Sequence, residues 1–282
     1  MVAQKSANDQ QWKAQRQAER EYASAMQDSV ITEITNDPVL YGLYLQVQGD
    51  NPTYSPGNIA MVIGQSSDPG KFGTEERWRS MGRTVQPAER DKSMSIFARS
   101  SFGRGYTLTP VYDIRQTTGR PVSEMKLMDG SDKMDKALQT LLNYSAVPMV
   151  INEELSVPAR YDEVTMKIEV NPNTPDSEAF AALATEIALS RFHGKGNVVP
   201  VFDRKEFALD AESVSYILCR RFGIQRDLPD AKNVRALYDG MDPMQRRGAL
   251  DNIQNMCKQI GGNIEKTITP PQKARNTARG AM

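Results

Sequence analysis

Histidine is almost missing from this chain. Among 282 residues only His193 carries an imidazole. A metal helix that needs two histidines four residues apart therefore cannot be built anywhere in it. Cysteine is nearly as scarce. Cys219 and Cys257 lie 38 residues apart, which suits two buried thiols in a reducing compartment and makes no metal-binding spacing. Long apolar runs are absent as well. Stretches such as "AVPMVI" at 146–151 fall far short of the roughly 20 residues that span a bilayer. The N-terminal "QQWKAQRQAEREYASAMQ" has no apolar signal core. The expected location is the cytoplasm, with no membrane partner. Charge of one sign is not in excess either: Lys plus Arg and Asp plus Glu number 35 each. Any attraction to nucleic acid has to come from a local patch.

What is present is the composition of a globular protein, 39% apolar and 25% charged. The pattern predicts an α+β chain. Residues 1–28 read as a polar helical arm carrying Trp12 and Tyr22. Residues 29–122 read as a small α+β domain. Within it, "SPGNIAMVIGQ" (55–65) is a helix with proline in its first turn, and "TEERWRSMGR" (74–83) is a helix capped by Thr74. The runs 92–100 and 106–114 are strands joined by a glycine-containing hairpin loop. A linker is expected at 121–133. Residues 132–262 form a mostly helical domain with helices at 132–145, 177–193, 206–222, 230–239 and 243–261, and short strands "PMVI" and "VTMKIEV". Gly194 and Gly223 are read as helix stops. The segment 263–282 is expected to be a disordered basic tail.

The stretch "AALATEIALSRFH" (181–193) has the look of a metallopeptidase zinc helix: an acid inside an apolar run, closed by a histidine. Such a helix uses His-Glu-x-x-His, because residues at i and i+4 share a face and the Glu deprotonates the metal-bound water. The same slots here hold Thr185, Glu186 and Leu189. Leucine cannot coordinate a metal, and threonine is a poor neutral oxygen ligand for zinc.

Three segments in order resemble the ArdC-type antirestriction proteins of plasmids and other mobile elements. The first holds Tyr54, Ser55, Gln65, Trp78, Gly82, Arg83, Tyr112, Asp113, Gln116, Thr117 and Gly119; the second is the stretch just quoted; the third is "DAESVSYILCRRFGI". Together they cover about residues 30–262. The resemblance implies a single-stranded-DNA-binding N-terminal domain and a zincin-like C-terminal domain. It also implies a metal held by two histidines of one helix and an acid of the next. Mapped onto this chain, that region is Thr185, Leu189, His193, Asp210 and Glu212, with Glu186 as a vestigial base. The expectation is an inactive scaffold with no metal and no cofactor. A weak hard-cation site built from His193 and the carboxylates is the alternative.

The DNA-binding expectation rests on local composition. Between Gly49 and Arg120 stand ten basic and seven acidic residues, eight of the ten being arginine, interleaved with Phe72, Trp78, Phe97, Phe102, Tyr106 and Tyr112. Arginine pairs with phosphate and stacks on bases, and single-strand binders combine a basic groove with aromatic platforms. The expected nucleic-acid residues are Arg83, Arg99, Phe102, Arg104 and Tyr106, with Trp78 and Phe97 assigned to the core. The leading expectation is a non-catalytic ArdC-like accessory protein of a mobile element or phage that binds single-stranded DNA. Two other readings stay open: a module that binds a protein partner, and a metallohydrolase with an altered site using Glu186, His193 and Asp210.

Overall fold

Polar side chains placed just ahead of apolar runs start most of the helices. In the computed structural model, which describes residues 2–100, 105–195 and 202–269, the chain opens with α1 (Val2–Ile34). Asp37 caps α2 (Pro38–Asp50), its carboxylate accepting from the Val39 and Leu40 amides at 2.7 and 3.1 Å. Ser55 caps α3 (Pro56–Gln65), Thr74 caps α4 (Glu75–Ser80) and Ser131 caps α5 (Asp132–Tyr144). After α6 (Asp176–Lys195), Asp203 caps α7 (Arg204–Arg221); the short α8 (Val234–Leu237) follows, and Asp242 caps α9 (Pro243–Ile268). Each cap takes a first-turn N–H that the helix itself leaves unpaired.

The strands form three small sheets. Antiparallel β1 (Phe72–Gly73), β4 (Tyr106–Asp113) and β3 (Met94–Arg99) lie in the order β1-β4-β3. The β3–β4 hairpin runs in register from Met94↔Val111 to Arg99↔Tyr106. β2 (Arg83–Val85) pairs with β5 (Thr117–Gly119). In the third sheet β6 (Met149–Ile151) runs parallel to β8 (Lys167–Val170), and β7 (Ala159–Asp162) pairs antiparallel on its other side. The fold class is α+β.

The outer edge of β3 is closed by two polar side chains from one face of α3. Asn58 exchanges two hydrogen bonds with the Phe97 backbone at 2.9 and 3.0 Å, and Gln65 does the same with Ser95 at 2.9 and 2.8 Å. Two side-chain amides thus act as a surrogate strand on an edge that would otherwise invite pairing. One continuous apolar cluster joins Ile31, Ile59 and Phe72 of the first hundred residues to Phe180, Ile217 and Ile253 of the rest. The stretch expected as a linker is pinned to it: Leu127 is buried, and its amide donates to the Phe222 carbonyl at 3.0 Å.

Several boundaries differ from expectation. α1 does not end at 28 but continues to Ile34, because Ala23, Gln27, Val30, Ile31 and Ile34 give it a buried face. Gly194 lies inside α6 and does not stop it, whereas Gly223, at φ 68°, does follow the end of α7. The expected helix at 230–239 is four residues long. α9 runs to Ile268, so 263–268 are helix and not tail; Ile264 and Ile268 are buried and hold that turn to the body. Residues 270–282 lie outside the described residues.

Candidate nucleic-acid interface and metal-helix cleft

Helices α6 and α7 pack against each other, and the Ser215 hydroxyl donates to the Ala181 carbonyl at 2.6 Å to tie them. With β7 they border a cleft of about 730 Å³, lined by Glu186, Glu212, Thr185, Tyr161, Arg204 and Arg226 among others. This is the place where the resemblance puts a metal. Glu186 is buried and both its oxygens are bound. Oε2 accepts the Tyr161 amide of β7 at 2.8 Å, and Oε1 accepts the Arg204 guanidinium at 2.6 Å. Arg204 also reaches the Tyr161 carbonyl at 3.4 Å.

The remaining positions are committed in other ways. Thr185 turns its hydroxyl back to the Ala181 carbonyl at 3.1 Å, and Leu189 is buried in the core. His193 Nδ1 is 2.7 Å from the Tyr161 hydroxyl, and its ring stacks on Phe202 at 4.4 Å. Phe202 in turn stacks on Phe207. Glu212 shares the cleft with Glu186, but Asp210 does not line it. Asp210 interacts electrostatically with Tyr41 and Tyr238, which belong to the opposite side of α7. It keeps some accessible surface, yet burial pushes its carboxyl up to about 7. Among the described residues no group of three or more His, Cys, Asp or Glu side chains is arranged to hold a metal ion. The donor set does not fit one, because a guanidinium already neutralises the only buried carboxylate of the cleft and would repel a second cation beside it.

The first hundred residues contain a different arrangement. Trp78, Val85 and Tyr112 form a satellite apolar cluster, and the Trp78 indole N–H donates to the Tyr112 carbonyl at 2.9 Å. Asp113 is buried. It accepts from the Gly70 amide at 2.7 Å, the Arg115 amide at 2.9 Å and Arg115 Nε at 2.7 Å. Burial alone would raise its carboxyl, but these donors hold it below the usual carboxylate range. Gln116 closes a capping box onto the Asp113 amide at 2.8 Å. Gly119 has φ 136°, and a side chain there would collide with the Gly82 carbonyl.

Arg83 belongs to this knot. Its Nε reaches Thr117 Oγ1 at 2.8 Å, and its two Nη atoms reach the Arg120 and Thr117 carbonyls at 2.6 and 2.9 Å. Expected on a nucleic-acid face, it is spent instead on joining β2 to β5. Most neighbouring bases are ion-paired: Lys71 with Glu124, Arg79 and Arg90 with Glu75, Lys92 with Glu89, and Arg115 with Asp68 and Asp113. Arg99 is exposed and carries no ion pair among the described residues. It stands opposite Tyr106, itself 58% exposed, at the open end of the hairpin. Phe102 and Arg104 lie outside the described residues. Phe97 is partly buried, while Trp78 is buried.

No protein-family model and no curated relative matches this sequence. Solved structures do. The Mn(II)-bound crystal structure of the antirestriction ArdC protein from plasmid R388 is 16% identical and superposes with a TM-score of 0.52, covering 87% of this chain and 99% of that one. The fold is ArdC-like. The metal-free structure of the same plasmid protein is 15% identical, with a TM-score of 0.43 over 76% of this chain and 85% of that one. Among the described residues no helix is long and apolar enough to cross a membrane.

Two parts of this cleft were missed in the sequence. Strand β7, which supplies the Tyr161 amide to Glu186, is a four-residue run, Ala-Arg-Tyr-Asp, too short and too charged to stand out. The signal for it was the alternation of buried Ala159 and Tyr161 with Arg160 and Asp162. Arg204 had no local signal, because its role is set by contact with a helix 18 residues away in sequence.

Proposed function

We propose that this chain is a non-catalytic, ArdC-like antirestriction accessory protein of a mobile element or phage, and that it binds single-stranded DNA. The observation that carries the non-catalytic half is the Glu186–Arg204 pair at 2.6 Å. A general base must have a lone pair available to a water. Here one oxygen of Glu186 is held by the guanidinium and the other by a backbone amide, and Leu189 and Thr185 add no ligand. The cleft keeps its walls without its chemistry. The DNA-binding half rests on Arg99 and Tyr106, a cation and an aromatic ring side by side at the end of a hairpin, both wetted and neither used by the fold.

A titration with single- and double-stranded oligonucleotides over a range of salt tests the binding. Tighter binding to the single strand, weakening steeply with salt, is expected. Equal affinity for both forms, or none at low salt, overturns it. Calorimetry with Mn(II) and Zn(II) tests the other half. One-to-one micromolar binding that disappears in Glu186→Ala, together with a hydrolytic activity, overturns the non-catalytic reading.

A further inference from the structure

The core face of α1 continues past the body of the protein. Ala23, Gln27, Val30, Ile31 and Ile34 are the positions it buries. Extended toward the N-terminus at 3.6 residues per turn, the same face holds Arg20, Arg16 and Trp12. The chemistry of the face therefore switches from apolar to basic and aromatic while its direction stays the same. Where it switches, α1 borders two hollows: one of about 350 Å³ against Thr107 of the hairpin, and one of about 650 Å³ against α3 and the hairpin. Arg16 borders both, so the two adjoin at its side chain and are treated together as a groove along α1. Trp12, Lys13 and Arg20 face Thr107 in the first; Tyr22 faces Ser95 and Leu108 in the second. Leu108 shares its sheet face with Tyr106 two residues on, so the groove leads to the hairpin end.

The aromatic and basic side chains that α1 presents to this groove are not packed into the core. Trp12 is 59% and Tyr22 74% exposed. Lys13, Arg16 and Arg20 carry no ion pair among the described residues, and Arg16 sits 5.2 Å over the Trp12 ring. Among the described residues the one acid bordering the groove is Glu19, which accepts from Gln15. Three unpaired cations against one acid call for an anionic occupant, and two exposed rings call for one with flat faces. The chain's own C-terminal segment has the wrong sign: it carries Lys273, Arg275 and Arg279 and no acid beyond Glu265.

We infer that the groove between α1 and the hairpin is the track of the single strand, with Trp12 a base-stacking platform and Arg16 and Arg20 phosphate contacts. This rests on the single-strand reading above and extends it to a second element. Trp12 and Tyr22 are ten residues apart, about 15 Å along the helix, room for roughly four stacked nucleotides.

The test uses the whole chain and an unlabelled dT16 strand, followed by intrinsic tryptophan emission. Trp78 is buried, so a change on binding reports Trp12. Saturable, salt-sensitive quenching is expected. It should vanish in Trp12→Phe while the anisotropy of a labelled strand still shows binding. Trp12→Ala should weaken binding about tenfold, the scale of one missing stack. Arg16→Ala with Arg20→Ala should lower the salt slope by about 0.7 for each phosphate no longer neutralised. Circular dichroism should be unchanged, since these positions are wetted. If the parent binds and these variants bind alike with no change in emission, the strand lies elsewhere; the groove is then overturned while the DNA-binding reading stands. If the parent binds no strand, both fall. If dT16 fails but an acidic peptide such as poly-glutamate quenches Trp12, the groove docks protein and the inference is overturned.

Discussion

Two arginine–carboxylate assemblies, one in each half of the chain, behave in opposite ways. Around Asp113 and Arg83 every strong donor and acceptor finds a partner within the local knot, and that knot contains the residues that resemble the antirestriction family. Around Glu186 and Arg204 an ion pair stands instead in an open cleft, with Thr185 and Glu212 beside it. A motif survives in the first case because it holds backbone in place. In the second, a buried carboxylate needs a cation, and Arg204 supplies it. A resemblance built on residues that hold backbone in place speaks for fold before it speaks for activity.

The sharpest way to break the comparison is to cut the knot. Trp78→Ala removes a buried indole, its packing on Val85 and Tyr112 and its hydrogen bond to the Tyr112 carbonyl. The expected loss is about 3–5 kcal/mol, read as a shift in the urea midpoint. A loss under about 1 kcal/mol would mean that the knot is an ornament of the fold.

The cleft should respond less. Arg204→Met leaves the Glu186 carboxylate buried without its cation. Because the arginine keeps 36% of its side chain exposed, water can partly replace it, and a loss of about 2 kcal/mol is expected, below the range for a fully buried pair. Adding Glu186→Gln to that variant should recover most of the loss, and a double-mutant cycle measures the coupling. Additive single effects would show that the two charges do not depend on each other.

Asp210 gives a pH-dependent contrast. Its folded carboxyl holds a proton up to about 7, against about 4 in the unfolded chain. The folded state is therefore favoured most below about pH 4, and that advantage drains away as the pH rises through 7. Asp210→Asn should be neutral near pH 4 and more stable than the parent at pH 8. The gain should be about 1–2 kcal/mol, discounted from the full shift because the carboxyl keeps some solvent contact. A gain of equal size at both pH values would assign the effect to packing.

Caps and periodic faces made the helices readable. Pro56, Thr74 and the apolar face of 177–193 announced α3, α4 and α6, and the two strand-like runs announced the hairpin. Helix α2 went unread despite Asp37 and Pro38 at its start, a cap signal as good as that of Ser55. At the candidate site, the sequence shows that Leu189 has no donor atom for a metal and that Thr185 has only a neutral hydroxyl. It could not show what Glu186 does instead, since Arg204 and the Tyr161 amide reach it from other elements. The basic residues divide the same way. Local composition counts charges, but which arginine is free depends on acids and carbonyls that tertiary contact brings in, so Arg83 and Arg99 look alike until the chain folds.

That likeness yields the finest test. The Arg83 side chain donates to three carbonyls and a hydroxyl around β2 and β5, while the Arg99 side chain donates to nothing among the described residues. Arg83→Ala should cost about 2 kcal/mol through stranded carbonyls in a partly buried site, and it should leave the salt slope of single-strand binding as in the parent. Arg99→Ala should reverse the pattern. Its stability should change by less than about 0.5 kcal/mol, since the side chain is wetted and unpaired. Its salt slope should fall by about 0.7, one phosphate on a single strand. Parallel melts and salt titrations of the two variants read both quantities. If Arg83→Ala flattened the slope and Arg99→Ala did not, the strand would lie across the β2–β5 ribbon, and the hairpin end would lose its assignment.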